Sequence, residues 1–120
     1  MTSFGQRIRP EVDLEVQAAV RADAAQHAAQ AFRHLERAHV LGQASTVQHV
    51  RVHVLMLLWA VRQRAPRELA GQLLRIAGAA TKTALGWVPS GNTGGANVSP
   101  FKSLPIPTDL ARILARAKRR

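Results

Sequence analysis

Between Pro10 and Gly42 no proline or glycine interrupts the chain, and alanine is its most frequent residue. Alanine is the strongest helix former, whereas glycine and proline are the strongest helix breakers. Pro10 can begin a helix, acidic residues follow it where the helix dipole favours them, and Gly42 can end the helix. The sequence therefore predicts one long helix from about Pro10 to Leu41, preceded by a flexible arm at residues 1–9.

Further helix-capping and helix-breaking residues divide the rest of the chain. Residues 43–46 form a short connection, in which Ser45 or Thr46 can cap a second, largely apolar helix. Pro66 ends that helix and starts a third one. We predict an all-α fold in a single domain, residues 1–120: a bundle based on a helical hairpin, with three long or medium helices and a short C-terminal helix before a basic tail at 115–120. The predicted bounds are 47–64 and 67–83, with the last helix beginning near residue 108.

Residues 84–107 contain four glycines and four prolines. A connection of this length is uncommon in a compact domain unless it is functional or disordered. Its apolar side chains, such as Trp87 and Phe101, indicate an ordered, extended loop that wraps across the helices. The segment from Ser90 to Ser99 is rich in residues that tolerate positive φ, so it could bind an anion through backbone N–H groups, although a structural turn is the preferred interpretation. The candidate anion-binding residues are Asn92, Thr93, Gly94, Gly95 and Asn97.

The composition restricts the partners and the compartment. A net charge of +10 would attract nucleic acid, but the basic residues are scattered, and neither a helix-turn-helix signature nor an aromatic stacking platform is present. Because cysteine is absent, disulfides and thiolate metal sites are excluded. No signal peptide or membrane-spanning segment is recognised. We expect a cytoplasmic protein without a membrane partner.

Four potential metal ligands flank the first predicted turn. Glu36 and His39 form a Glu-x-x-His pair, and His49 and His53 form a His-x-x-x-His pair. If the chain reverses around Ala44, His39 faces His49, and Glu36 faces His53 one turn deeper. Imidazole and carboxylate groups together suit a divalent transition metal, with zinc or iron as the leading candidates. The pattern predicts a metal site across a helical hairpin.

Other interpretations of these residues remain open. Inward-facing histidines are often structural, satisfied by a carbonyl or a carboxylate. The Glu-x-x-His pair is similar to half of a ferritin-like di-metal motif, but the second half is missing, so only two chains together, as a homodimer, could complete such a centre. No nucleophilic triad is visible, and without a metal we expect no enzyme. A small metal-dependent hydrolase or oxidase is a third possibility.

The runs LERAHVLGQ, HVRVHVLML and GNTGGANVSPF resemble a small bacterial family known as domain of unknown function 3703. The resemblance covers most of the chain. Members tend to occur near heavy-metal resistance genes, which implies a metal-related role but assigns no residue a function. We therefore expect a transition-metal-binding helical protein linked to metal handling or tolerance. The alternative is a basic nucleic-acid-associated or protein-interaction module with structural histidines.

Overall fold

The computed structural model describes residues 2–84, 92, 94, 95 and 103–119, without the side chains of 77 and 79–84. Within these ranges the chain is helical and has no strand, which confirms the all-α class. The number of helices is larger than predicted, because the described residues form five. They are α1 (Phe4–Ala24), α2 (Ala28–Gly42), α3 (Thr46–Arg62), α4 (Pro66–Ala84) and α5 (Thr108–Lys118).

The prediction of a flexible arm at residues 1–9 is wrong for residues 4–9, which form the first turns of α1. Ser3 and Gln6 form a reciprocal capping box, in which each side chain accepts a hydrogen bond from the other residue's backbone N–H. Ile8 is fully buried. Pro10 lies inside the helix, where it removes a backbone hydrogen bond at a cost of about 3 kcal/mol. Capping and burial of this first segment offset that cost.

The long helix predicted from Pro10 to Leu41 is also wrong, because the chain turns back at residues 25–27. Gln26 adopts φ 62°, and the backbone N–H of His27 donates to the carbonyl of Ala22 at 2.8 Å. None of these residue types marks a turn. The reversal lets α1 and α2 pack against each other, so burial between them outweighs the local helix propensity. Leu14 of α1 is 59% exposed.

The next two helices lie close to their predicted bounds. The Ser45 side chain caps α3 by accepting a hydrogen bond from the backbone N–H of Gln48. Arg64 turns the chain with φ 52°, and Pro66 begins α4. One face of α3 lies in the core through Val52 and Met56, both 0% exposed. Although the helix is largely apolar, as the sequence indicates, its opposite face is open to solvent at Val47, Leu58 and Val61.

The last helix covers the end formed by α1 and α2. Leu110 and Leu114 of α5 are buried in the same core as Ile8, and Arg7 Nε donates to the carbonyl of Ala117 at 2.7 Å. Because α5 continues to Lys118, most of the predicted basic tail at 115–120 is helical. Residues 103–107 before it are not helical, and the rest of the predicted extended loop lies almost entirely outside the described residues.

Candidate metal centre

Three histidine rings meet in the interior between α2 and α3. His39 lies near the end of α2, and His49 and His53 lie one turn apart on α3. Their exposed fractions are 2%, 5% and 2%. The ring centroids are 4.8 to 4.9 Å apart, and one nitrogen from each ring lies within 4.8 Å of the other two. Imidazoles so arranged could hold a metal ion.

The tight turn between α2 and α3 brings these rings together. A Cβ added to Gly42 would lie 2.8 Å from Cβ of Gln48, so the close approach of the two helix ends requires a glycine. The backbone N–H of Ser45 donates to the carbonyl of Gly42 at 2.9 Å, which closes the turn. This short connection places His39 against both histidines of α3.

The Nδ1 atom of His39 has a partner that can only accept a hydrogen bond. It lies 2.6 Å from the backbone carbonyl oxygen of Asn92. Nδ1 must therefore carry the proton, which leaves the Nε2 lone pair of the neutral ring directed toward His53. The neighbouring Gly94 adopts φ 82°, and an added Cβ there would lie 2.7 Å from Cγ of His39. Only a glycine lets the loop backbone approach the ring this closely.

The Nδ1 atom of His53 is fixed in the same way by Gln72. The Gln72 Oε1 atom lies 2.6 Å from it, while Gln72 Nε2 donates to Glu68 Oε2 at 2.6 Å and to the carbonyl of Gly94 at 2.9 Å. The two partners of the Gln72 Nε2 atom are both acceptors, so the orientation of the Gln72 amide is determined. His53 then donates through Nδ1 and has its own lone pair on Nε2.

The two Nε2 atoms, of His39 and of His53, lie 3.2 Å apart. With both Nδ1 atoms protonated, a hydrogen bond between the Nε2 atoms would require one ring to be a cation. Metal–nitrogen bonds of about 2.0–2.1 Å place two ligands about 3.3–3.4 Å apart at a tetrahedral angle and about 2.9 Å apart at a right angle. The observed separation lies between these values. The pair has the spacing of two nitrogens bound to one transition-metal ion.

The electrostatic surroundings keep His39 neutral. Burial lowers the pKa of His39 well below its usual value, and the neighbouring His53 and His49 lower it further. The hydrogen bond to Asn92 opposes this shift, and the nearby Arg75 guanidinium adds to it. A neutral imidazole is the form that binds a metal.

The group of described residues whose ligand atoms converge consists of the three histidines, and Glu36 as a fourth ligand stays a prediction. Glu36 is half-buried one turn before His39 and lines an open groove together with Phe32, Trp59 and Glu68. The His53 ring contacts the His39 ring, with centroids 4.8 Å apart.

Part of the predicted anion-binding loop lies beside the histidines. The carbonyls of Asn92 and Gly94 accept hydrogen bonds from His39, Gln72 and Arg75, and the N–H of Gly94 donates to Asn92 Oδ1 at 2.9 Å. Thr93 and Asn97 lie outside the described residues. Anion binding by this loop stays a prediction.

Sequence reasoning missed Gln72 as a residue that holds a histidine. Glutamine is not a usual metal ligand, so a search for ligand types passes over it. The available signal was its position on a helix expected to pack against the histidine helix, one turn after Glu68, where an i, i+4 pair forms. Asn92 was singled out for its loop conformation, but its backbone carbonyl is the atom that contacts the cluster.

The fold and this cluster define a class: an all-helical protein with three buried histidines at a helical hairpin. A family model described as "Protein of unknown function (DUF3703)" matches residues 6–114, and the chain belongs to that family. No curated protein and no solved structure matches the chain. Within the described residues, no helix is both long and apolar enough to cross a membrane.

Proposed function

We propose that this protein binds a divalent transition metal ion through His39, His49 and His53, with zinc first among the candidates and iron second. The carrying observation is the 3.2 Å approach of two Nε2 atoms whose rings each have the Nδ1 proton directed to a carbonyl oxygen. A cation bound between the Nε2 lone pairs of His39 and His53 supplies the positive charge that holds them at this distance. Three histidines without cysteine suit zinc, and they also suit copper, nickel and iron.

The burial of the site supports a binding role over catalysis. All three rings are at most 5% exposed, and Gln72 beside them is fully buried. A metal held there is enclosed by side chains and by the loop backbone at Gly94. We therefore propose metal handling or tolerance, by sequestration or sensing, as the role of the protein.

Metal analysis of the full chain, purified without a histidine tag, tests the proposal. We expect about one zinc or iron ion per chain, or stoichiometric uptake of added metal by the metal-free protein. His39→Ala, His49→Ala and His53→Ala should each lower the affinity sharply, while His27→Ala, at an exposed position on the first turn, should not. A chain that takes up none of zinc, iron, copper or nickel would disprove the function.

Glu36→Gln tests the fourth ligand that the sequence predicts. We expect the affinity to stay within about threefold of the original, because the group of converging ligand atoms consists of the three histidines. A loss as large as that of the histidine variants would establish Glu36 as a ligand in the metal-bound state.

The nucleic-acid alternative makes the opposite prediction. This alternative rests on the net charge of +10. It requires an affinity for DNA or RNA that falls steeply with salt concentration and does not change when the histidines are substituted. Several arginines are already paired within the fold: Arg51 with Asp13 at 2.6 Å and Arg62 with Asp23 at 2.8 Å. Filter binding at two salt concentrations distinguishes this alternative from metal binding.

A further inference from the structure

The outer face of α3 carries an apolar stripe that no described element covers. Four of its side chains are among the exposed large hydrophobic residues: Val47 at 72%, Val54 at 38%, Leu58 at 47% and Val61 at 55%. Val50 is half-buried on the same side. At 100° per residue these five positions lie within about 80° of one another around the helix axis. Such a continuous apolar face is typical of a protein–protein contact.

The spacing along this stripe is that of a helix that pairs with another helix. Val47, Val54 and Val61 repeat every seven residues, and Val50 and Leu57 lie between them at the second apolar position of the heptad. Apolar residues at both of these heptad positions form the seam along which two helices pack against each other. The stripe therefore fits a second helix of the same kind.

The stripe is also symmetric about Val54. The other four residues lie four and seven positions before and after it, and all are valine or leucine. A two-fold axis at Val54 between antiparallel helices would place Val47 against the partner's Val61, and Val50 against the partner's Leu58. Self-complementarity of this kind is what an isologous dimer interface requires.

Charge favours the antiparallel arrangement. The charged residues on α3 are Arg51 and Arg62, and the helix has no acidic residue. Parallel pairing in register would bring each arginine beside its own copy, whereas the antiparallel arrangement separates them and also opposes the two helix dipoles favourably. Ion pairs with Asp13 and Asp23 neutralise both arginines within the chain, so the net charge of +10 is not concentrated at the stripe.

We infer that two copies of this chain form an antiparallel dimer through the outer face of α3, with the two-fold axis at Val54. The metal ligands His49 and His53 lie on the opposite, inward face, so the dimer does not depend on metal binding. A seam of one helix about 25 Å long buries less than a standard interface of about 800 Å² per partner. We expect a dissociation constant on the order of micromolar to tens of micromolar.

Analytical ultracentrifugation over a concentration series, with and without metal, tests the dimer. The original chain should shift from monomer to dimer, and Val54→Glu and Leu58→Glu should each raise the dissociation constant at least tenfold. Val20→Glu is the matched control, since Val20 is 63% exposed on α1 and should leave the dimer intact. A chain that stays monomeric at about 0.5 mM would overturn the inference.

Disulfide cross-linking determines the relative orientation of the two α3 helices. The natural chain has no cysteine, so each introduced cysteine reports on one position. A mixture of Val47→Cys and Val61→Cys chains should form the mixed disulfide, and Val54→Cys should cross-link to itself. Self-cross-linking of Val47→Cys without the mixed product would overturn the antiparallel arrangement. Monomers in solution that bind anionic phosphatidylserine vesicles through this stripe would overturn the dimer in favour of a membrane contact.

Discussion

At the scale of single residues, one glycine allows the loop to approach the histidine cluster. Gly94 combines φ 82° with a backbone that lies against the His39 ring. Its carbonyl also accepts hydrogen bonds from Gln72 and Arg75. This position therefore affects both the conformation of the loop and the orientation of the Gln72 and Arg75 side chains.

Gly94→Ala should destabilise the protein by about 2 kcal/mol or more, because an alanine in the left-handed region costs about 1–2 kcal/mol before any clash. Its metal affinity should fall as well, since the added methyl group displaces the loop from His39. Urea denaturation and a chelator competition measure the two effects. Gln17→Gly is the control: it lowers the stability at an exposed position inside α1, and metal affinity should not change.

Gln72→Leu removes the acceptor for His53 Nδ1 while keeping a side chain of similar size. We expect the metal affinity to fall about 10–100-fold, the usual effect of losing a group that orients a ligand. Gln63→Leu, at an exposed position after α3, should bind metal normally. Unchanged affinity of the Gln72 variant in the same competition assay would mean that this hydrogen bond does not orient His53.

Acid should destabilise the metal-free protein through His39. Its pKa is lowered in the folded state by burial and by the adjacent histidines, whereas in the unfolded chain it returns to about 6.5. Below about pH 6.5 the unfolded state binds more protons, so the free energy of unfolding is fully retained above that pH and falls as the pH decreases, by up to about 1.4 kcal/mol per pH unit for one group.

Urea titrations of the metal-free protein between pH 8 and pH 5 measure this dependence. The His39→Gln variant should show a shallower decrease, whereas His27→Ala should follow the original chain. A free energy of unfolding that stays constant from pH 7 to pH 5 would contradict the neutral, buried state of His39.

At the scale of helices, the main difference from the sequence prediction is the reversal at Gln26. Local signals at the helix ends predicted α3 and α4 within a few residues, because Ser45 caps α3 and Pro66 begins α4. The end of α1 carries no such signal. The chain reverses there because Ile8 and Leu35 are buried in one core, and pairing over such a distance along the chain cannot be read from a local pattern.

The convergence of the three histidines was predictable from local signals, as the bounds of α3 and α4 were. The spacing of His39, His49 and His53 around a turn indicated their convergence, because helical periodicity fixes which residues share a face. That Glu36 also lines a groove with Phe32 and Trp59 was not predictable, because it depends on how α2 packs against its neighbours. The contacts from Gln72 and from the loop depend on tertiary packing.

Gln26→Gly should stabilise the protein by about 0.5–1 kcal/mol, because glycine adopts the left-handed conformation at a helix C-terminus without steric cost. Gln17→Gly, at an exposed position inside α1, should instead cost about 1 kcal/mol. Thermal or urea unfolding of both variants gives the comparison. Destabilisation of the Gln26 variant would mean that its side chain contributes more than its backbone strain costs.

At the scale of the whole molecule, a polar network joins both ends of the chain. Glu15 of α1 accepts hydrogen bonds from His34 Nδ1 at 2.9 Å and from Arg37 Nε at 3.0 Å, both on α2. Arg37 also pairs with Asp109 of α5, which holds the pKa of that carboxyl below its usual value. This network holds α1, α2 and α5 together and includes none of the three clustered histidines. The packing of these three helices is therefore stabilised by other contacts than those of the cluster.

Metal binding should stabilise the whole fold. With free metal at 100 times the dissociation constant, linkage adds about 2.7 kcal/mol to the free energy of unfolding, which corresponds to roughly 10 °C in Tm for a chain of this size. Differential scanning calorimetry with zinc and then with excess EDTA measures the shift and its reversal. The same Tm for the original chain and for His39→Ala at saturating zinc would contradict a specific site.

The hydrogen bonds that His39 and His53 donate to Asn92 and Gln72 also have a consequence during translation. The ribosome adds the three histidines to the chain before it adds the glutamine and the carbonyl that fix the tautomers of His39 and His53. A nascent chain therefore presents histidines whose rings still rotate and exchange protons freely with solvent. For the proposed metal site, the surroundings of these rings are complete only when the chain has grown past residue 94, so loading with an ion becomes a late event in biogenesis.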